Sequence, residues 1–356
     1  MQQTFLVTRP FTAETPDVYV GIDAAYDDLP AIKELITELK SHTNMFIIGC
    51  TGITYDQNKL DETCQYIYDH GMYFIIYSEH SPQTRWIETA KNRWGDLFLG
   101  YYAYDEAGGR QLDQVRFVVS EAENITDASD KFVQGITNRL DRFTSGFTES
   151  FRPSLFTSDY ALYWFDYEAG YDVLLAQFGW NLSRQLNIAL CRGAATVQDK
   201  SWGVIVTWTY LNTPHIESGE ELYNDLILAY NNGAKYITIF DSNEPYTAGI
   251  LQDEHIQAIK QFWQYTQENP RTLETQNKRV AFVLPKDYAY GFRGPKDKIW
   301  GLWEADDFSY QLSATLGGLL EEYNTTLDII YEDALESNNT LPYEKLIFWN
   351  GTELQS

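Results

Sequence analysis

Acidic residues recur in this sequence directly after short apolar runs that have the length of β-strands. The carboxylates in such positions are Asp23, Glu79, Asp105, Glu106, Asp159, Asp241 and Glu244. Aromatic and amide side chains occur in the same kind of position, and the candidates for binding are Tyr104, Gln177, Trp180, Trp208 and Tyr210. Carboxylates accept hydrogen bonds from hydroxyls, and aromatic rings stack on apolar C–H faces. The combination predicts a site for a neutral, polyhydroxylated ligand.

Carboxyl groups in pairs could cleave an acetal. The reaction needs a protonated carboxylic acid at the leaving oxygen and a second carboxylate near the positively charged carbon. Glu106 is the best candidate for the acid, because it ends an apolar run and Asp105 beside it would raise its pKa by like-charge repulsion. Adjacent strand residues point to opposite faces, so the two share one ligand only if a bulge intervenes. Candidates for the second carboxylate are Asp105, Asp159, Asp241 and Glu244.

The elements that must position these residues alternate in type along the chain. Eight apolar runs of strand length are each followed by residues with helical spacing, and the connection over 163–172 is short for a full helix. This order predicts an α/β fold, a (β/α)8 TIM barrel whose catalytic groups sit at the C-terminal strand ends. An open doubly wound sheet is the alternative, although no Gly-rich dinucleotide motif follows any strand. The predicted strands are Val18–Asp23, Met45–Cys50, Met72–Ser78, Leu97–Tyr104, Ser154–Leu162, Val173–Phe178, Gly203–Trp208 and Tyr236–Phe240.

A second, smaller unit follows the barrel. Asn269 and Pro270 end the last barrel helix, because proline cannot continue a helix and disfavours helix in the residue before it. A β–α–β–β order then predicts a small, partial Rossmann- or flavodoxin-like α/β domain. The expected division is 1–16 as an N-terminal extension, 17–270 as the catalytic barrel, 271–278 as a linker and 279–356 as the small domain.

Two segments carry a resemblance to a known family. Tyr104-Asp105-Glu106-Ala107 resembles the Asn-Glu-Pro pattern that carries the acid/base glutamate in the large clan of retaining TIM-barrel glycosidases. The layer that begins with Arg279–Pro285 is similar in kind to the flavodoxin-like domain that follows the barrel in some β-galactosidases. The resemblance implies glycoside hydrolysis with Glu106 as acid/base. The clan's nucleophile is a glutamate at the end of strand seven, where this chain has Thr207-Trp208-Thr209-Tyr210, with Glu217 seven residues beyond Tyr210.

Composition excludes several classes of partner. The 356 residues include 26 Lys and Arg against 51 Asp and Glu, a net charge of −25 that argues against binding nucleic acid or an anionic membrane. No apolar run approaches the roughly 18 residues of a membrane span. The 15% aromatic content suits a carbohydrate ligand. The expected partner is therefore a carbohydrate substrate, with no cofactor, and oligomerisation through the small domain is conceivable.

The compartment is predicted only from glycosylation motifs. Five Asn-X-Ser/Thr motifs favour an extracellular or cell-surface glycoprotein, although residues Met1–Pro16 lack the features of a secretory signal. The three cysteines show neither metal-ligand spacing nor a disulfide framework. The five motifs begin at Asn124, Asn181, Asn324, Asn338 and Asn350.

Two other functions remain open at this level. A non-catalytic glycan-binding or cell-surface scaffold protein would keep the aromatic residues but lack a correctly spaced carboxylate pair. A metal-dependent hydrolase would need Asp23, Glu79, His80 and Asp241 to converge on one point. A pair of carboxyl groups about 5 to 10 Å apart across an open cleft would favour the glycosidase.

Overall fold

Eight parallel strands close into a barrel in chain order, with β8 paired to β1. The computed structural model describes residues 15–82, 84–114, 117–148, 151–209, 215–271, 279–335 and 341–355. The barrel confirms the predicted (β/α)8 fold class. Its strands are β1 (Tyr19–Ala24), β2 (Met45–Ile48), β3 (Tyr73–Ser78), β4 (Phe98–Ala103), β5 (Ser154–Asp159), β6 (Val173–Phe178), β7 (Ser201–Val206) and β8 (Tyr236–Asp241).

Helices follow each barrel strand, and side-chain caps set where several of them begin. Asp28, Asp56, Asn124, Ser183 and Ser218 each accept a hydrogen bond from a backbone N–H in the first turn. The helices are α1 (Leu29–Leu39), α2 (Thr51–Thr54), α3 (Gln57–Asp69), α4 (Thr84–Trp94), α5 (Ala107–Asp113), α6 (Ile125–Thr144), α7 (Tyr163–Ala169), α8 (Arg184–Val197), α9 (Gly219–Asn231) and α10 (Asp253–Glu268). The short connection expected over 163–172 holds α7, which has only 7 residues.

Alternation along the strands builds two apolar layers. In β2, Met45 and Ile47 belong to the cluster inside the barrel, whereas Phe46 and Ile48 belong to the larger cluster between strands and helices. The strands are buried on both faces, which explains their nearly continuous apolar sequences. Because side chains fill the barrel interior, only the loops and strand ends at the C-terminal rim are free to build a site.

The C-terminal unit is a small mixed sheet. Its strands are β9 (Val280–Leu284), β10 (Leu327–Tyr331), β11 (Lys345–Phe348) and β12 (Glu353–Gln355), and α11 (Asp307–Tyr323) connects β9 to β10. The order is β10-β9-β11-β12, with β10 and β11 parallel to β9 and β12 antiparallel at the edge. The predicted three strands and helix are present, but a flavodoxin-like domain is not confirmed. Residues 1–14 of the predicted extension and 272–278 of the predicted linker lie outside the described part.

This sheet packs directly on barrel helix α8. A Cβ added to Gly193 would lie 2.3 Å from the Ile329 carbonyl oxygen, so glycine is what lets β10 approach the helix. Next to it, fully buried Asp328 accepts hydrogen bonds from Arg192 at 2.7 Å and from Arg279 at 2.7 Å. One carboxylate from the sheet therefore pairs with the guanidinium of Arg192 on the barrel and with that of Arg279, which directly precedes β9.

Cys50, Cys64 and Cys191 are buried free thiols. Across the described ranges, no helix has both the length and the apolarity needed to cross a bilayer.

Candidate active site

A cavity of about 640 Å³ opens at the C-terminal ends of the barrel strands. Its size lies within the usual range of small-molecule sites, about 300 to 1,000 Å³. All eight strands or the loops after them contribute. The lining residues are Asp23, Ala25, Gly49, Cys50, Thr51, Tyr77, Glu79, Tyr102, Asp105, Glu106, Ser158, Gln177, Trp180, Ile205, Thr207, Trp208, Phe240, Pro245 and Tyr246.

Asp105 and Glu106 both line this cavity although they are neighbours in sequence. β4 ends at Ala103, and the backbone then adopts left-handed conformations at Tyr104 (φ 60°) and Glu106 (φ 55°). Left-handed backbone is uncommon for residues other than glycine and concentrates at functional sites. The turn takes both residues out of strand geometry, so the alternation that would separate them no longer applies. Strand alternation allows both side chains to reach one ligand only if a bulge intervenes. Here the two left-handed residues bring them together instead of a bulge.

Hydrogen bonds hold the two carboxyl groups in place. Asp105 Oδ1 accepts from the Tyr102 hydroxyl at 2.5 Å and from the Ser158 hydroxyl at 2.9 Å. Glu106 Oε1 accepts from Gln177 Nε2 at 2.6 Å, and the same amide donates to Ser158 Oγ at 2.9 Å. One polar network thus joins the ends of β4, β5 and β6.

The protonation of this pair follows from its surroundings. Removal from water raises the pKa of Glu106 above its ordinary value, and it raises the pKa of Asp105 further because Glu106 is adjacent. Two carboxyls so close and so poorly hydrated do not both ionise at neutral pH, so the pair shares a proton. Asp105 accepts from two hydroxyls and Glu106 from one amide, and such donors favour the charged form. The rise in pKa is nevertheless larger at Asp105, so in the free protein the shared proton lies mainly on Asp105.

Asp159 lies behind this site and organises its backbone. It is fully buried and accepts hydrogen bonds from the N–H groups of Gly108 at 2.6 Å and Gly109 at 2.8 Å, just after Glu106. A Cβ on Gly108 would lie 2.6 Å from Leu162 Cβ, and one on Gly109 would lie 2.2 Å from the Tyr160 ring. Asp159 is not among the lining residues, and its position is that of a carboxylate that shapes the turn.

The two candidates after β8 are also outside the lining. Asp241 accepts hydrogen bonds from the N–H groups of Ile250 at 2.6 Å and Leu251 at 3.1 Å, so it fastens the loop after β8. Glu244 is exposed on that loop. Of the four candidates for the second carboxylate, only Asp105 lines the cavity.

Two carboxyls expected to bind ligand do line the cavity, one of them buried and the other exposed. Asp23 is only 4% exposed, and burial, with a contribution from Asp241, raises its pKa to about 8. Asp23 is therefore a neutral acid at pH 7 and could donate a hydrogen bond. Glu79 is exposed and accepts a hydrogen bond from the Tyr77 hydroxyl at 2.9 Å.

Aromatic rings form another part of the cavity wall. Trp208 donates from its indole nitrogen to the Ser242 carbonyl at 2.9 Å and stacks on Tyr246 at 6.2 Å between ring centroids. Trp180 follows β6 and donates its backbone N–H to the Trp208 carbonyl at 2.7 Å. Of the other binding candidates, Gln177 lines the cavity, Tyr104 packs against Phe143 outside the lining, and Tyr210 lies outside the described residues.

Sequence reasoning missed several lining residues. Three of them lie within strands, and the only sequence signal for them is that they precede a strand-end carboxylate by one to three positions. These residues are Tyr77, Tyr102 and Ser158. Thr207 directly follows β7. The next acidic residue, Glu217, does not line the cavity: it forms a buried ion pair with Arg184 at 2.9 Å.

The cavity's charge limits what it can bind. Among the lining residues that the structure describes there are carboxyls but no Lys or Arg. Phosphorylated or acidic sugars would meet like charge without a compensating cation. Within the described ranges, no group of three or more His, Cys, Asp and Glu side chains is arranged to hold a metal ion. His80 lines a different cavity, so the four residues considered for a metal do not converge.

The fold is similar to that of solved TIM-barrel glycoside hydrolases. An exo-β-1,4-mannosidase from Opitutaceae bacterium strain TAV5 matches with a TM-score of 0.53 and 10% identity, over 93% of this chain and 72% of that one. An α-L-fucosidase from Paenibacillus thiaminolyticus matches with a TM-score of 0.52 and 11% identity, over 92% of this chain and 59% of that one. No protein-family model and no curated protein matches the sequence. At these identities the likeness concerns the fold alone.

Proposed function

We propose that this protein hydrolyses O-glycosidic bonds of a neutral or amino-sugar glycan, with Glu106 as general acid and Asp105 as the second carboxyl group. The observation that carries the proposal is the pair of adjacent carboxyls, held by Tyr102, Ser158 and Gln177, in a cavity lined by further acids and aromatic rings. The similarity of the fold to glycoside hydrolases supports it.

The proposed chemistry requires the proton that the pair shares to lie on Glu106, and the charge on Asp105, when the glycoside is bound. Glu106 gives its proton to the leaving oxygen as the glycosidic bond breaks, and the negative charge of Asp105 stabilises the positive charge that develops on the sugar. Water then adds to the sugar carbon and gives one proton to the Glu106 carboxylate, which restores the acid. Because Thr207 and Trp208 follow β7 in place of a carboxylate, the second carboxyl in this proposal comes from the turn after β4.

The remaining residues would bind the sugar. Asp23, neutral at pH 7, donates a hydrogen bond to a hydroxyl, and Glu79 accepts one. Trp180, Trp208 and Tyr246 offer ring faces to the apolar side of the sugar. The absence of Lys and Arg from the described lining is the reason for proposing a neutral or amino sugar over an acidic one.

A leaving-group series tests the roles. Aryl glycosides with strongly and weakly acidic phenols are hydrolysed by wild type, Glu106→Gln and Asp105→Asn, and kcat/KM is measured. Loss of a general acid removes about 10²- to 10⁴-fold where the leaving group needs protonation, and much less where the phenol leaves unaided. Glu106→Gln therefore spares the activated substrates, whereas Asp105→Asn loses activity on both.

The matched control is Glu244→Gln, which changes an exposed carboxylate outside the lining and should leave all rates unchanged. If Asp105→Asn spares the activated substrates and Glu106→Gln does not, the two roles are reversed. If glycans bind and none is cleaved, the non-catalytic glycan-binding or cell-surface function replaces the proposal. The threonine and tryptophan at the end of β7, in place of a carboxylate, are the observation that favours that second candidate.

An extracellular or cell-surface location is proposed with this function. Asn124, Asn181, Asn324 and Asn350 of the glycosylation motifs are exposed, whereas Asn338 lies outside the described residues. Mass spectrometry of the protein from its native source, before and after enzymatic removal of N-glycans, tests this. An unchanged mass would contradict glycosylation at these asparagines.

A further inference from the structure

A second cavity, of about 220 Å³, adjoins the first beside β3. The residues of its wall that matter here are Thr54, Tyr55, His80, Trp86 and Tyr101. They come from the segment after β2, the end of β3, α4 and the middle of β4. None of them lines the larger cavity.

Two short segments form the partition between the cavities. Glu79 lines the larger cavity, and the next residue, His80, lines the smaller one. The Glu79 N–H donates to the Tyr55 hydroxyl at 3.1 Å, and this hydrogen bond links the end of β3 to the segment after β2. Helix α2 likewise begins at Thr51 in the larger cavity and ends at Thr54 in the smaller one. The two cavities therefore lie on the two sides of the same short segments.

The entrance of the smaller cavity carries an exposed ring. Tyr55 is 48% exposed, although large apolar side chains are usually covered, and its ring stacks on His80 at 5.2 Å with the planes 18° apart. The pair presents a flat, rigid face at the rim. Such a face suits the apolar side of a sugar ring.

Two hydroxyls without partners lie in the wall. Tyr101 is 2% exposed, and neither its hydroxyl nor that of Thr54 has a hydrogen-bond partner among the described residues. Buried hydroxyls are nearly always hydrogen-bonded, and leaving one unpaired is costly. A ligand with hydroxyls of its own would supply the missing partners.

We infer that the smaller cavity is a further sugar subsite and that the substrate is an oligosaccharide or polysaccharide. One sugar unit would hydrogen-bond to Tyr101 and Thr54 and stack on Tyr55, while the bond to be cleaved lies beside Glu106. This inference rests on the proposed function for the cleavage step. The binding step is independent of it.

The kinetic test uses variants that remove a hydroxyl and keep the shape. Tyr101→Phe and Thr54→Val, singly and together, are assayed on an aryl glycoside with one sugar and on oligosaccharides of two to six units of that sugar. The double variant should lower kcat/KM on the longer substrates about tenfold and retain the rate on the aryl glycoside. Tyr310→Phe, which alters a partly exposed tyrosine on α11, is the control. Equal rates for variant and wild type on every length would overturn the inference, as would equal losses on short and long substrates.

A binding measurement separates this inference from the proposed function. Calorimetric titration of the same oligosaccharides into Glu106→Gln protein, with and without the two hydroxyl changes, needs no catalysis. Weaker binding of the longer oligosaccharides alone would support the subsite even if no glycoside were cleaved. Unchanged binding of every oligosaccharide would overturn the inference. Melting temperatures confirm folding, since Tyr101→Phe removes an unpaired group and should not lower stability.

Discussion

Asp105 and Glu106 are consecutive in sequence, yet both carboxyl groups line the barrel cavity. The left-handed residues Tyr104 and Glu106 make this arrangement, and Asp159 holds the backbone that follows. Closeness and poor hydration oblige the pair to share a proton. The predictions below test how this pair, its supporting turn and the surrounding packing behave.

The first prediction concerns the pH dependence of activity. The Gln177 amide donates to Glu106 and holds the pKa of this carboxyl down, against the rise caused by burial. In Gln177→Met the donor is lost, so the pKa of Glu106 rises. Because Glu106 must be protonated to act as acid, the alkaline limb of kcat/KM should move to higher pH. A pH–rate profile measures this shift, and movement to lower pH would contradict the assigned role.

The second prediction concerns stability and Asp23. Its pKa is about 8 in the folded protein and about 4 in the unfolded chain, so the folded state binds the extra proton between these values. Stability is therefore lost as pH rises from about 4 to about 8. Asp23→Asn removes this loss, so the stability of the variant relative to wild type should be higher at pH 8 than at pH 5, by an amount on the order of a few kcal/mol. Denaturant unfolding at both pH values measures it, with Glu244→Gln as the unaffected control; a gain independent of pH would contradict the mechanism.

The third prediction concerns the glycines after Glu106. A methyl group on Gly108 or Gly109 would collide with Leu162 or with the Tyr160 ring. Gly108→Ala and Gly109→Ala should each cost about 1 to 3 kcal/mol of stability and lower kcat, because the Glu106 turn must move. Thermal unfolding and rates on one glycoside check both. Gly318→Ala on α11, where an added Cβ meets nothing within 4 Å, should be neutral or stabilising by up to about 1 kcal/mol.

The fourth prediction concerns the contact between barrel and sheet. Asp328 is buried between Arg192 and Arg279, so Asp328→Ala leaves two guanidinium groups without their carboxylate. Breaking a buried pair in this way costs about 3 to 5 kcal/mol. Denaturant unfolding should show that loss of stability. Limited proteolysis of the variant should cleave the C-terminal sheet before the barrel. Glu62→Gln, which removes the partly exposed ion pair with Lys33, should change stability by less than about 1 kcal/mol; equal effects would contradict the importance of burial.

The sequence by itself determined the barrel and the region of the site. Strand-length apolar runs and helical spacing are local properties, so all eight units could be found, including the short one that holds α7. Parallel strands in a barrel bring their C-terminal ends to one rim, and this rule alone places Asp23, Glu79 and Glu106 on the same side of the fold. The three parallel strands of the small domain were found in the same way, whereas the antiparallel β12 was not.

Only the tertiary structure decided which of the strand-end groups face the cavity. Asp159 accepts a hydrogen bond from a backbone N–H at the start of α5, and Asp241 accepts one from the loop after β8. The first donor is distant in sequence and the second depends on the conformation of the loop, and spacing encodes neither. Asp105 joins Glu106 because of backbone angles that strand alternation argues against. The smaller cavity combines residues of α2, β3 and β4, and its unpaired hydroxyls become visible only when these elements pack together. The local sequence pattern determines the element and the position of a residue, whereas packing and hydrogen-bond partners determine the direction of its side chain.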